Sequence, residues 1–314
     1  PRKIAQEART GNIPYIVMDM LTELTISLPV LEEEQAKIGA FFKQLDNTIA
    51  LHQRKLEKSK ALKSAYLSEM FPVEGERKPK RRFAGFTDDW EQRKLKEVAN
   101  HRGGTAIEKY FSKNGKYKVI SIGSYGINSK YIDQGIRAVS NDITDVRVVR
   151  KGELTMVLND KTSNGTIIGR SLLIDTDNEY VINQRTEILS PKENFDSSFA
   201  YITLNGPFRE KVRKIVQGGT QIYVNYPVVE NLKLELPDLE EQKKIGTFFK
   251  YLDDTIDLHQ RQLDNYNELK KAMMQKIFTQ ELRFKNQGGN DYPKWEIKKA
   301  NEIFKPYSEK NASH

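Results

Sequence analysis

The sequence predicts an α+β protein in which mixed globular segments are joined by long helices that form an antiparallel coiled coil. Three observations predict this fold class. One helical segment occurs twice, each copy carries an apolar seam, and the chain between the copies is rich in short β-prone runs. The 314 residues are 38% hydrophobic and 30% charged, which suits about two domains with real cores.

The repeat is the strongest feature of the sequence. Residues 28–56 read LPVLEEEQAKIGAFFKQLDNTIALHQRKL, and residues 236–263 read LPDLEEQKKIGTFFKYLDDTIDLHQRQL. The similarity continues to Phe71 and Phe278, after which each copy reaches a tryptophan. Self-similarity of this length indicates one structural unit that is used twice.

Each copy is predicted to be one long helix. Pro29 and Pro237 mark the starts, where proline is tolerated, and the glutamates that follow suit the positive end of a helix dipole. Apolar positions recur at spacings of three and four residues, which is typical of helices that pack on another long helix. The predicted coiled-coil seam consists of Ile38, Phe42, Leu45, Ile49, His52, Leu56, Ile245, Phe249, Leu252, Ile256, His259 and Leu263.

Histidines and cysteines limit the possible chemistry. His52 and His259 lie on the seam, as either a metal or proton site or a half-buried hydrogen bond between helices; we favour the second, because no two histidines have metal-ligand spacing. The chain has no cysteine, which excludes disulfides, iron–sulfur clusters and cysteine nucleophiles. We expect no metal, no cofactor and a cytoplasmic location.

The repeat divides the chain into six predicted segments. They are the end of a first globular domain (1–29), a long helix (30–71), a basic linker (72–89), a complete globular domain (90–235), a second long helix (236–282) and the start of a further domain (283–314). The linker is expected to be exposed, either as a solvated hinge or in contact with DNA phosphates.

The complete domain mixes two kinds of pattern. Strands are predicted at KYKVISI, DVRVVR, ELTMVL, TIIGRSLLI and EYVINQRTEIL, which are rich in Val, Ile, Tyr and Thr. The segment SSFAYITLNGPFREKVRKI is predicted to be helical with a break near Gly206–Pro207.

Three polar loops of this domain suit nucleic acid. Asn, Gln and Arg can make bidentate base contacts, and Lys, Ser and Thr suit phosphates. The net charge of +8 fits a polyanionic partner, although such loops are also ordinary turns. The predicted DNA-binding residues are Lys161, Thr162, Ser163, Asn164, Arg170, Asn183, Gln184, Arg185, Gly219, Thr220, Gln221 and Tyr223. Lys161 and Arg170 are assigned to phosphates.

Catalytic motifs are missing from the sequence. It has no phosphate-binding G-x-x-x-x-G-K-[ST] loop, no G-x-G-x-x-G after a strand and no G-x-S-x-G elbow. Asn225-Tyr226-Pro227 is only loosely similar to the Asn-Pro-Pro-Tyr of amino-methyltransferases. We therefore expect a chain without enzymatic activity of its own, and no apolar run is long enough to span a membrane.

The repeated L-P-x-L-E-E-Q-x-K-I-G-x-F-F motif resembles the repeated helical regions of Type I restriction–modification specificity subunits. The stretch at 86–95, FTDDWEQRKL, resembles the opening of a target-recognition domain in that family, and Gly-Gly-Thr-Gln at 218–221 resembles a motif near its end. The resemblance covers nearly the whole chain.

The resemblance implies a role for each part. A target-recognition domain would read one half of a split double-stranded DNA site, and the coiled coil would space the halves. Methyltransferase subunits and motor–nuclease subunits would dock on the chain, which could also self-associate through its helices. The order of segments departs from the usual domain, helix, domain, helix, as in a fragment, a permuted form or a recombined product. The alternative function is a non-catalytic coiled-coil adaptor between proteins.

Overall fold

A computed structural model describes residues 21–161 and 163–304, and it confirms the α+β fold class. The chain divides into two compact units, which we treat separately. The helix-end unit comprises the described residues up to Leu56 and from Leu258 onward, and the domain unit runs from Glu57 to Asp257. None of the helices in the described ranges is both long and apolar enough to cross a membrane.

Each predicted strand segment contains a strand, EYVINQRTEIL contains two, and further short strands and helices were not predicted. The helices are α1 Glu32–Glu69, α2 Leu95–Val98, α3 Asp142–Asp145, α4 Ser197–Asn205, α5 Pro207–Arg213, α6 Tyr226–Val229, α7 Leu239–Phe278 and α8 Ala300–Ile303. The strands are β1 Thr25–Leu28, β2 Glu91–Lys94, β3 Ala99–Gly103, β4 Tyr117–Ile120, β5 Arg137–Ala138, β6 Val148–Val149, β7 Leu154–Val157, β8 Asn159–Asp160, β9 Ser171–Leu173, β10 Tyr180–Ile182, β11 Thr186–Pro191, β12 Gln217–Gly218, β13 Ile222–Tyr223, β14 Lys233–Leu236 and β15 Glu296–Lys299.

The long helices α1 and α7 run antiparallel in both units. In the helix-end unit, Phe42 stacks on Phe278 with ring centroids 6.1 Å apart. In the domain unit, the Lys63 ammonium lies 2.5 Å from the Asp253 carboxylate. Within the helix-end unit, His52 lies further along α1 and packs on Tyr266, which lies further back along α7 than Phe278. Within the domain unit, Tyr66 follows Lys63 and packs on Phe248, which precedes Asp253. Each unit therefore shows the antiparallel direction by itself.

The predicted seam residues differ in burial. Those that are buried are Ile38, Leu45, Leu56, Ile245, Phe249, Leu252 and Leu263, and those that are partly buried are Phe42, Ile49, His52, Ile256 and His259. The two seam histidines do not bond to each other, because their ring centroids lie 6.3 Å apart. His52 packs on the Tyr266 ring instead, at 5.1 Å, and its buried Nδ1 has no hydrogen-bond partner.

The globular part of the domain unit contains two four-stranded sheets. One is antiparallel, in the order β3-β11-β7-β9, and the other has the order β5-β4-β10-β6 with β4 and β10 parallel. Strands β2 and β14 pair antiparallel and so join the two ends of the predicted domain. The main core combines Trp90, Phe199 and Phe208 of the globular part with Phe71 and Phe249 from the ends of the long helices.

The helix break lies where proline places it. The Asp196 carboxylate caps α4 by accepting from the backbone N–H of Phe199 at 2.9 Å. The helix ends at Gly206, and Pro207 begins α5, where its missing N–H costs nothing. The sequence prediction at Gly206–Pro207 is confirmed.

The basic linker is more ordered than a solvated hinge. The Arg82 guanidinium makes a two-pronged ion pair with the buried Glu241 carboxylate, at 2.9 and 2.6 Å. Phe83 packs on Phe248 beside it. The prediction of an exposed linker is therefore wrong at Arg82, whose charge compensates a carboxylate at the start of α7.

The second copy of the repeat makes the equivalent contact in the helix-end unit. The Arg283 guanidinium pairs with the Glu34 carboxylate at 3.1 and 2.8 Å, and Phe284 packs on Phe41. Strands β1 and β15 pair antiparallel, as β14 and β2 do in the domain unit.

Candidate nucleic-acid interface

The three predicted loops converge in the domain unit. Strand β13 pairs with β8 on one side and with β12 on the other, which brings the first and third loops together through Asn159 and Tyr223. The second loop joins them because the backbone N–H of Leu158 donates to the carbonyl of Arg185 at 2.9 Å. Segments far apart in the sequence thus form one continuous surface.

The first loop is held from beneath by a buried arginine that the sequence analysis missed. The Arg209 guanidinium donates to the backbone carbonyls of Gly165, Thr166 and Ile168 at 2.8–3.0 Å. Burial, together with the nearby charges of other arginines, lowers the pKa of Arg209 to about 10. Nothing in the sequence pattern distinguishes this arginine from a surface residue of helix α5.

The tip of the first loop is exposed to solvent. Lys161, Ser163 and Asn164 are all exposed there, and Thr162 lies outside the described residues. At the base of the loop, the Asp160 carboxylate accepts from the backbone N–H of Ile167 at 2.8 Å. The base of the loop is therefore held by hydrogen bonds, while the described polar side chains at its tip are exposed to solvent.

Arg170 does not face solvent as its predicted phosphate contact requires. Its guanidinium donates to the Thr166 carbonyl and to the Ser129 hydroxyl, both at 2.9 Å, and burial lowers its pKa. An exposed cation on this side of the loop is Arg213, close to Gly165. Arg213 replaces Arg170 as our candidate phosphate contact.

The second loop divides into a buried and an exposed part. Asn183 is buried: its amide oxygen accepts from the backbone N–H of Ile107 at 3.2 Å and its amide nitrogen donates to Glu108 at 2.9 Å. These bonds commit Asn183 to the fold, against its predicted base contact. Gln184 and Arg185 are exposed, and Arg185 has a left-handed backbone with φ of 67°. Such strain in a non-glycine residue is typical of functional sites.

The third loop is a tight hairpin between β12 and β13. Gly218 has φ of +101°, and a Cβ there would lie 2.2 Å from the Gln221 carbonyl oxygen, so the turn requires glycine. Gly219, Thr220 and Gln221 are exposed at the tip, and Tyr223 is 37% exposed.

An open cleft lies among these loops. Its walls come from the segment after β3, the start of β8, the second loop and the start of α6, and its lining includes Gly104, Thr105, Asn159, Gln184, Arg185, Glu187, Asn225 and Tyr226. A Cβ on Gly104 would lie 1.9 Å from the Asn183 carbonyl oxygen, so the close approach of these two segments requires glycine.

The protein-family model of the type I restriction modification DNA specificity domain matches residues 2–60 and 87–271 of the sequence. The chain belongs to this family. The match covers both copies of the repeat and the complete globular domain, including the three converging loops. The resemblance found from the sequence motifs is thereby confirmed.

Specificity subunits from one archaeon are similar to this chain in sequence. The type I restriction enzyme MjaVIII specificity subunit of Methanocaldococcus jannaschii is 28% identical over 90% of this chain and 67% of its own length. The chain spans only 54% and 64% of two further specificity subunits from that organism.

Two solved structures show the same fold. The S subunit from M. genitalium matches with a TM-score of 0.60 and 15% identity, over 88% of this chain and 69% of that one. The HsdS subunit from Thermoanaerobacter tengcongensis matches with a TM-score of 0.52 and 17% identity, over 89% and 67%.

Proposed function

We propose that this chain is the DNA-reading subunit of a type I restriction–modification complex and that the domain of residues 90–235 reads part of a split target. The observation that carries the proposal is the convergence of three loops whose exposed side chains suit DNA. Lys161 offers a phosphate contact, and Gln184, Arg185 and Gln221 offer base contacts.

The long helices supply the second part of the proposed function. A helix of 38 or 40 residues is about 60 Å long, which is enough to separate two half-sites. We assign to this rod the spacing of the half-sites and the binding of the methyltransferase and motor–nuclease subunits. The chain itself contributes recognition and no catalytic group, so the pure chain should show no nuclease, ATPase or methyltransferase turnover. Activity that persists through further purification would contradict this.

Phosphate contacts are tested by the salt dependence of DNA binding. The Lys161→Ala variant should weaken binding to all sequences alike and lower the slope of log affinity against log salt by about one, because one fewer counterion is released. Lys60→Ala, which removes an exposed lysine of α1, is the matched control. Equal slopes for the two variants would remove Lys161 from the interface.

Base contacts are tested by mapping methylated sites in the assembled enzyme. Gln184→Ala and Gln221→Ala should each cost about 1–3 kcal/mol of binding to the cognate site and relax one position of the target. Gln92→Ala removes an exposed amide of strand β2 and should leave the target unchanged. If every loop variant kept the same target with the same fidelity, the reading surface would lie elsewhere in the domain.

A further inference from the structure

One carboxylate of the domain unit has an oxygen atom that is not hydrogen-bonded to any described residue. Glu187 lies on strand β11 between buried neighbours, and its Oε2 atom is buried without a hydrogen-bond partner. Other enclosed carboxylates of this domain are paired: Glu153 binds Arg102 and Ser190. A buried polar atom without a partner is uncommon and calls for a ligand or water that completes it.

Glu187 is one of the residues that line the open cleft. It pairs in register with Gly103 of β3, and a Cβ on that glycine would lie 3.3 Å from the Oε2 atom. Because glycine has no side chain, the residue directly opposite on β3 places nothing against the carboxylate. Tyr226, which lines the same cleft, also has a buried hydroxyl without a hydrogen-bond partner.

No cation in the described part of the chain compensates the charge of Glu187. Burial alone raises the pKa of Glu187 to about 7, with no contribution from a nearby positive charge. A DNA phosphate would be repelled by this carboxylate. A neutral N–H donor on a flat group fits better, because it completes the acceptor without adding like charge.

The position of the cleft indicates where such a donor would come from. Its lining includes the exposed residues Gln184, Arg185 and Asn225 and the partly buried Asn159, which belong to or adjoin the loops of the candidate interface. DNA bases present one kind of neutral donor in the major groove, the exocyclic amino group of cytosine or adenine. In its ionised form a carboxylate accepts from that group and has no proton to donate to a carbonyl oxygen.

We propose that the Glu187 carboxylate, within the cleft, accepts a hydrogen bond from the exocyclic amino group of a cytosine or adenine and so determines one base of the target. This inference rests on the proposed function, since it assigns one position of the DNA site to a residue that none of the three predicted loops contains.

The test compares two substitutions in the complete complex with its methyltransferase subunits, read by sequencing of methylated sites. Glu187→Leu removes the acceptor and should relax one position of the target by roughly 5- to 150-fold. Glu187→Gln should convert a cytosine at that position into an adenine, because an amide pairs with both N6 and N7 of adenine, and should retain an adenine already read there. The two arms thus identify the base.

Controls separate the possible failures. Glu193→Gln removes the same charge from an exposed position of the same domain and should leave the target unchanged. If wild type shows sequence-specific methylation and both Glu187 variants retain its target and fidelity, this inference fails while the proposed function stands. If wild type shows no sequence-specific modification or binding, the proposed function fails first. Melting curves identify a variant that fails to fold, in which case Glu187→Gln, the closest in shape, carries the test.

Discussion

The two copies of the repeat have nearly the same sequence but different surroundings. In the domain unit, a Cβ on Gly246 would lie 2.8 Å from the Cβ of Ser198, so helix α4 packs directly on the glycine. At the corresponding Gly39 of the helix-end unit, no described atom lies within 4 Å of such a Cβ. Phe71 is 5% exposed, whereas its counterpart Phe278 is 51% exposed.

Other contacts are the same in both copies. Gln35 donates to the Pro29 carbonyl at 2.8 Å, and Gln242 donates to the Pro237 carbonyl at 2.9 Å. Gln242 also accepts from the backbone N–H of Asp196, which joins the helix to the globular part. The comparison teaches that local sequence determines the contacts within each helix start, while burial of the same residues depends on the domain that packs there.

The ion pair between an arginine and a buried glutamate occurs in both copies, and its loss is expected to have the largest effect on stability. Arg82→Ala would leave the Glu241 carboxylate buried without its cation, which costs about 3–5 kcal/mol of the free energy of unfolding. Arg283→Ala should destabilise the helix-end unit similarly through Glu34, which is equally buried. Both are measured by denaturant unfolding.

The control for these variants is Arg81→Ala. Arg81 is exposed and pairs with the partly exposed Glu69, so its loss should cost much less than the loss of Arg82. An equally small loss in Arg82→Ala would show that the buried pair does not stabilise the start of α7.

Substitutions of the two equivalent glycines test what the copies do not share. Their expected effects are smaller than those of the arginine variants and opposite in sign to each other. Gly246→Ala should destabilise the domain unit by about 1–3 kcal/mol, because the new methyl group would meet the Ser198 side chain and the Phe199 backbone. Gly39→Ala should stabilise its helix by about 0.5–1 kcal/mol, since alanine favours the helix and meets no described atom. Thermal unfolding of the two variants gives the signs; two losses of equal size would contradict the difference between the copies.

A further effect adds pH to the comparison, because Glu187 lies in the domain unit. Its folded pKa of about 7 is above its ordinary value of 4.5, so the folded state favours the neutral carboxyl. The resulting loss of stability is absent below pH 4.5, grows between pH 4.5 and 7, and is complete above that range. With solvent screening of this half-exposed group taken into account, the free energy of unfolding of Glu187→Gln should exceed that of wild type by about 1–2 kcal/mol at about pH 8 and equal it at about pH 4. A gain that does not vary with pH would contradict this cause.

The sequence predicted those features whose pattern is local or repeated. The long helices and the break at Gly206–Pro207 follow from periodicity and from proline geometry, and the structure has them within a few residues of the predicted ends. The polar loops were found because turn residues cluster. Their convergence could not be predicted from local patterns, since the pairing of β8 with β13 joins segments that lie far apart along the chain.

Individual roles in the site were harder to predict than its location. Arg170 and Asn183 have side chains that can bind DNA, but both form hydrogen bonds within the fold. Arg209 and Glu187 differ from surface residues by the burial of their polar atoms. Side-chain direction and the absence of a partner depend on tertiary contacts, which one sequence does not show. His52 illustrates the same limit, because its seam position was predicted and its ring partner, Tyr266, was not.

The anchoring of the first loop by Arg209 has a consequence for retargeting. Arg209 binds backbone carbonyls of this loop, and every amino acid supplies the same carbonyl. Ser163 and Asn164 can therefore be exchanged for other side chains without loss of the bonds that shape the loop. A library that randomises these two positions and keeps Arg209 would present many different chemical surfaces on one unchanged scaffold, so the proposed role of this loop can be tested without altering its shape.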